Sequence, residues 1–256
     1  MTRTNASYQE RLKAFQALLQ NHQRIVFFGG AGVSTESDIP DFRGTHGIFN
    51  RDTGTPYSAE EMVSHHFYVE HPEEFFSNYK VRQGMMKDVQ PNRAHIMLAK
   101  LEKLGKLQAI ITQNIDGLHQ RAGSQTVYEL HGSIHRNYCT KCHAFYSIED
   151  IIERSNPIPH CDKCGGIIKP DVVLFEEPLD NDTVFSAIQA IRDADMLIIG
   201  GTSLVVWPAA GFIHEFGGDA IVLINQDSTP RDQAANILFR ESIGQVLEDA
   251  ISPLLI

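Results

Sequence analysis

Four short apolar runs set the strongest limit on what this chain can fold into. Arg24 to Phe28 stops at Gly29-Gly30, LQAIIT occupies 107–112, DMLIIG 195–200 and AIVLIN 220–225. Each is rich in β-branched or bulky apolar residues and is followed by a glycine, amide or hydroxyl break, which reads as a buried strand running into a turn. Helical spacing lies around them: Ser7 to Gln20 with Leu12, Phe15, Leu18 and Leu19, then Pro91 to Leu104, Asn181 to Asp193 and Pro208 to Phe216. This alternation predicts an α/β fold, a mostly parallel sheet with helices on both faces. Sheets of that kind bind ligands at the carboxyl ends of their strands.

Two stretches break the alternation. Residues 45–90 carry histidines, aromatics and helix formers without a clear strand, predicting a helical insertion, and 134–168 holds all four cysteines with little hydrophobic periodicity. A small second lobe is expected there. The formal charge of −10 argues against direct nucleic-acid binding, which needs clustered Lys and Arg, and makes basic protein segments the more natural partners. No apolar run is long enough for a membrane span and the first twenty residues lack a signal-peptide core, so a soluble, cytoplasmic protein is expected.

Cys139-Thr-Lys-Cys142 and Cys161-Asp-Lys-Cys164 are the most specific local signal. Two thiolate pairs at this spacing predict a tetrahedral four-sulfur zinc site, with Gly165-Gly166 allowing a tight knuckle. A closed shell of four thiolates leaves no open coordination position, so the metal would serve structure. Free core cysteines, a redox pair and a nucleic-acid-binding zinc ribbon are the alternatives.

The glycine-rich run after the first strand is less specific. Gly30-Ala31-Gly32 would let backbone N–H groups approach a phosphate, helped by a following helix terminus, yet Thr35 stands where a dinucleotide fingerprint has its third glycine. A plain strand-to-helix turn is the competing reading. Thr112-Gln113-Asn114-Ile115-Asp116-Gly117-Leu118-His119 then brings amides and a carboxylate to the same sheet edge, where they can fix ribose hydroxyls and a carboxamide. Glu129-Leu130-His131-Gly132 singles out His131 among twelve histidines, because an imidazole at that edge is a natural general base. Gly201-Thr202-Ser203 and Asn225-Gln226-Asp227 follow two more strands and read either as contacts for a phosphate and an adenosine or as ordinary caps.

Assembled in order, GAGVSTES, IPDFRG, PNRAH, TQNIDGLHQRAG, ELHGSIH, the C-x-x-C pairs, KPDVVLFEEPL, GTSLVVWPAA and LINQDSTP resemble the sirtuins, NAD-dependent protein-lysine deacylases, over nearly the whole chain, and most of all bacterial members. The resemblance implies a single catalytic domain over 1–256. A large Rossmann-like lobe would come from 1–44, 91–133 and 169–256, and a small lobe from 45–90 and 134–168. It implies His131 as general base, with Asn114 and Asp116 organising the nicotinamide ribose and carboxamide. Ala31, Thr35, Phe42, Arg43, Gln113, Ile115, Thr202, Ser203 and Asn225 fall at positions contacting NAD. Val172, Val173, Leu174 and Glu177 match the segment that holds an acyl-lysine peptide as an added strand. NAD would be consumed as co-substrate, giving nicotinamide, free lysine and O-acyl-ADP-ribose. Deacetylation by a monomer is the expected case, and ADP-ribosyl transfer to protein is the rival activity.

Asp38 and Gly29 depart from the family pattern, where a glycine and a hydroxyl residue are usual. Aspartate tolerates left-handed backbone better than most residues, so the loop is expected to survive. Tyr79 and Arg82, three apart, resemble a pair that grips acidic acyl groups, which would make the enzyme a desuccinylase. Their register against Gln90-Pro91-Asn92 is offset, which favours a solvated helix face.

Overall fold

The computed structural model describes residues 6–44, 47–50, 52–86, 88–154 and 156–255. Residues 45, 46, 51 and 87 of the expected helical insertion, 155 of the expected zinc module, and the chain-terminal residues 1–5 and 256 therefore lie outside the described residues. Helix α1 (Tyr8–Asn21) begins at a reciprocal cap in which Ser7 Oγ accepts the Glu10 N–H and the Glu10 carboxylate accepts the Ser7 N–H. It buries Leu12, Phe15 and Leu19, the spacing read from sequence.

The four apolar runs become β1 (Ile25–Gly29), β2 (Leu107–Thr112), β7 (Met196–Gly200) and β8 (Ala220–Ile224) of one six-stranded sheet. Short edge strands β3 (Val127–Glu129) and β9 (Ile237–Phe239) complete the order β3-β2-β1-β7-β8-β9, every neighbouring pair parallel. Helices cover both faces, and the twofold alternation of side chains divides the core between them. Ile25 and Phe27 of β1 join Met196, Ile198 and Val222 under α1, α4 (Arg93–Lys103) and α8 (Ile243–Ile251). Val26 and Phe28 join Leu197, Ile199 and Leu223 on the other face, under α7 (Asn181–Asp193) and the turn Ala209–Glu215. That turn is 3₁₀, where an α-helix over 208–216 was expected.

A second, three-stranded sheet of order β5-β4-β6 is antiparallel and comprises β4 (Gly132–Cys139), β5 (Phe145–Tyr146) and β6 (Ile168–Val172). With α2 (His65–Glu70), α3 (Pro72–Met86) and α6 (Ile148–Arg154) it encloses a third core containing Met62, Phe67, Phe75, Phe76, Tyr79, Ile151 and Leu174. No strand lies among the described residues of 45–90, as expected, whereas 134–168 carries strands and a helix that the sequence reading did not resolve. Their apolar residues are too few and too widely spaced to show a period.

Candidate active site and metal centre

The sheet order reverses between β1 and β7, since the chain moves outward through β2 and β3 and later returns to pair on the other side of β1. A crevice at the carboxyl ends of these strands is the consequence. The glycines there allow two loops to touch backbone to backbone: Gly32 N–H donates to Gly201 O at 2.8 Å, and a Cβ on Gly32 would lie 2.8 Å from Gly201 Cα. Gly201 itself has φ +59 and would place a Cβ 2.3 Å from Val33 N. No side chain fits between them.

No α-helix follows β1. Two 3₁₀ turns, Ala31–Val33 and Thr35–Ser37, replace the helix terminus expected after the glycine loop, and Asp38 ends the second in left-handed conformation (φ 63, ψ 16). Thr35 is exposed and its hydroxyl donates to Gly32 O at 3.0 Å. Beyond it Phe42 and Arg43 are exposed; Phe42 packs against Phe49, and Arg43 lies over the Phe49 ring while pairing with Glu60 at 3.2 Å.

After β2 the chain is braced from several sides. Thr112 Oγ1 accepts the Asn114 N–H, Gln113 N–H reaches Gly29 O, and Asp116 Oδ1 accepts the Leu118 N–H. Asn114 Nδ2 donates to Ser34 Oγ at 3.0 Å, and Ser34 O–H donates to Asp116 Oδ2 at 2.7 Å, all three side chains being buried. Ser34 was missed in the sequence, although it lies in the quoted run GAGVSTES. The hydrogen bond from Ser34 holds the Asp116 carboxylate toward the glycine loop, and Ile115, between Asn114 and Asp116 in sequence, is half-buried. Behind this network His95 and His119 stack edge to face at 4.7 Å. Burial first, and for His119 the neighbouring His95 as well, holds both imidazoles neutral; His95 is pushed down to about 4 although Asp116 and Glu36 oppose this.

His131 follows β3 at the same edge. Its Nδ1 lies 2.9 Å from Gln113 O, and a carbonyl can only accept, so Nδ1 carries the proton and Nε2 the lone pair. Burial lowers the pKa of His131 below 6.5, against the opposing effect of that hydrogen bond. His131 O accepts the N–H of Val173 at 3.0 Å, and Gly132 pairs with Val172, so His131 and the segment Val172–Leu174 are adjacent through main chain. Glu177 ties that segment down by accepting from Leu174 N–H, Lys169 Nζ and His65. Glu176 holds a left-handed φ of +77, its carboxylate accepting both the main-chain N–H and the ring of His66.

Thr202 is buried, its Oγ1 accepting from Gln113 Nε2 at 3.2 Å; Ser203 and Asn225 are half-buried at the ends of β7 and β8, with Asn225 Nδ2 donating to Asp227 O. The structure thus brings Ala31, Gln113, Asn114, Asp116, His131 and Thr202 to one edge. Tyr79 and Arg82 correct the sequence reading of a solvated helix face. Tyr79 is 9% exposed because α3 packs that face into the third core, its hydroxyl is buried without a hydrogen-bond partner among the described residues, and Arg82 is half-buried.

The four cysteine sulfurs converge, all within 4.8 Å of one another. Cys139 and Cys164 lie 3.4 Å apart, and Cys142 and Cys161 3.6 Å. Zinc–sulfur bonds of about 2.3 Å in a tetrahedron put ligating sulfurs roughly 3.8 Å apart, so this donor set fits a structural zinc. Lys141 N–H points at Cys139 Sγ, a donor of the kind a thiolate shell needs, while the Tyr146 hydroxyl lies between Cys161 Sγ and the Asp162 carboxylate.

The Sir2 family model matches residues 30–208. An NAD-dependent protein deacetylase of Clostridium perfringens is 55% identical over 243 residues, covering 94% of this chain and 99% of that protein. A Staphylococcus aureus protein of the same name is 42% identical over 94% of this chain and 98% of its own length. A solved Sir2 structure with a p53 peptide and NAD+ superposes with a TM-score of 0.84 at 38% identity, covering 94% of this chain and 98% of that one. The glycine crevice, the braced 112–118 segment, His131 and the four-cysteine cluster therefore stand in a sequence related over almost its entire length, and the chain is a member of the Sir2 family.

Proposed function

We propose that this protein is an NAD-dependent protein-lysine deacylase, acting first of all on acetyl-lysine in proteins or peptides and releasing nicotinamide and O-acyl-ADP-ribose. The observation that carries this reading is the state of His131: neutral, with its proton fixed on Nδ1 by Gln113 O and a lone pair on Nε2, beside the substrate segment. In this reading NAD is the electrophilic co-substrate, and the chain's own groups bind, orient and move protons. The glycine loop with Ala31 and Thr35, together with Thr202, Ser203 and Asn225, holds the phosphates and adenosine. Phe42, Arg43, Gln113 and Ile115 border the nicotinamide end, while Asn114 and Asp116, locked by Ser34, position the ribose and carboxamide. His131 Nε2 then accepts a ribose hydroxyl proton when the acyl group is transferred. The acyl-lysine peptide lies along Val172, Val173 and Leu174, which Glu177 anchors.

The zinc ion, held by Cys139, Cys142, Cys161 and Cys164, supplies structure alone. The lobe division at 45–90 and 134–168, a monomeric state and a cytoplasmic location belong to this proposal; no helix among the described residues is long and apolar enough to cross a membrane. A second reading concerns the acyl group. A buried, unpartnered Tyr79 hydroxyl beside a half-buried Arg82 offers two donors of the kind a carboxylate would satisfy, which favours acidic acyl groups as additional substrates.

The test incubates the protein with NAD and acetyl-, succinyl- and long-chain acyl-lysine peptides, with mass spectrometry of products. Deacylated peptide with one nicotinamide per turnover is expected, and His131→Ala should lose about 10²-fold or more in kcat. Near-normal turnover by that variant would remove His131 from the role of base. ADP-ribose retained on protein would indicate the transferase reading instead.

A further inference from the structure

Arg136 stands outside every role assigned above, yet it joins the two segments that the site brings together. It lies where the β4–β6 register shifts between Ser133 and Asn137, an irregularity that turns its side chain out of the ordinary ladder. From there Nη1 donates to Glu129 Oε2 at 2.6 Å and Nε donates to Asp171 Oδ2 at 2.7 Å. Glu129 precedes His131 by two residues and Asp171 precedes Val173 by two. His131 and Val173 are themselves joined, Val173 N–H to His131 O, at 3.0 Å. The guanidinium therefore bridges the approach strands of the two residues whose main chains meet at the site. Its neighbours in sequence brace the same junction: Ile134 N–H donates to Ile115 O, and His135 Nε2 donates to Asp116 O.

The Glu129 side chain is only 8% exposed, and both contacts are charge-assisted hydrogen bonds from one planar fork. A lysine could not span both carboxylates, because a compact ammonium lacks the spread of donors.

We propose that Arg136 is a positioning residue: it sets the distance and angle between the His131 segment and the 171–174 segment, and so the seat of the acyl-lysine peptide. This inference rests on the deacylase reading. The side-chain partners of Arg136 are Glu129 and Asp171, neither of which is assigned to NAD, so its loss should weigh more on the peptide than on NAD.

The experiment compares the whole protein with Arg136→Lys, Arg136→Met and Asp171→Asn, measuring kcat and KM for acetyl-lysine peptide and for NAD, with melting temperature in parallel. Because small displacements of reacting groups are costly, kcat/KM for peptide should fall about tenfold or more in both Arg136 variants, with KM for NAD within about twofold. Asp171→Asn, which weakens a half-exposed arm and leaves the Glu129 contact in place, keeps the test open if the Arg136 variants fold poorly; it should raise peptide KM with little change in NAD KM. Unchanged peptide parameters in folded variants overturn the proposal, as does a loss in peptide and NAD parameters that merely tracks a lowered melting temperature. If wild-type protein deacylates no peptide, the functional reading itself fails, a result distinct from either.

Discussion

His131 shows how one contact fixes a residue's chemistry. With Nδ1 committed to Gln113 O, the ring presents Nε2 as an acceptor, and burial disfavours its protonated form. A general base works only when neutral, so activity is present above its pKa and lost as pH falls through it. Since that pKa lies below 6.5, the acid limb of kcat/KM should have its midpoint below 6.5, measured with NAD and acyl peptide both well below their KM so that the free enzyme is reported. A midpoint above 6.5 would contradict the burial seen here. The position of His131 was legible from VYELHG, and its tautomer was not, because Gln113 O approaches only after β2 and β3 pair through Thr112 and Glu129. Ser34 and the His95–His119 pair were illegible for the same reason. Their significance lies in contacts spanning 80 or more residues for Ser34, and between two separate helices for the histidines.

At the scale of elements, the long apolar runs gave their strands plainly because a strand buried on both faces must be apolar throughout. β9 and α8 escaped, the first because three residues carry no period, the second although Ile243, Val246, Leu247, Ala250 and Ile251 do show helical spacing. Glu36 links α8 to the glycine loop: its carboxylate accepts from Ser242 and Gly244 and pairs with Arg93. Burial pushes the Glu36 pKa upward, but these three contacts outweigh it and hold the group ionised. The loop between Glu36 and Phe42 turns at Asp38, whose φ of 63 answers how a non-glycine residue is accommodated there. Left-handed backbone costs most side chains about 1–2 kcal/mol, and aspartate less. Asp38→Val should therefore lower stability by about 1–2 kcal/mol, read as a lower denaturant midpoint at unchanged slope, while Asp38→Gly should remain near the parent because lost strain and added chain entropy offset. Equal effects from both substitutions would mean that the carboxylate, not the backbone, holds the turn.

For the whole molecule, the chain passes from the six-stranded sheet to the three-stranded one through Leu130-His131, between the end of β3 and the start of β4. The third core contains Cys139 and Cys161, so a zinc ion held by the four cysteines would border its packing. Removing zinc with a strong chelator should abolish deacylation and the protease resistance of 134–168, while the six-stranded sheet retains most of its circular dichroism. Lengthening or loosening a closed loop is thermodynamically mild, about 0.6 kcal/mol per doubling, so the six-stranded sheet need not unfold with the three-stranded one. A single transition that melts both sheets on chelation would show instead that they fold as one unit.

Strand β4 begins at Gly132, next to the base, and ends at Cys139, a metal ligand. At about 3.3 Å per residue its eight residues span at most roughly 26 Å, with His131 just before one end and a cysteine of the metal cluster at the other. A change at the metal ligands and a change at His131 are thus made at opposite ends of one strand.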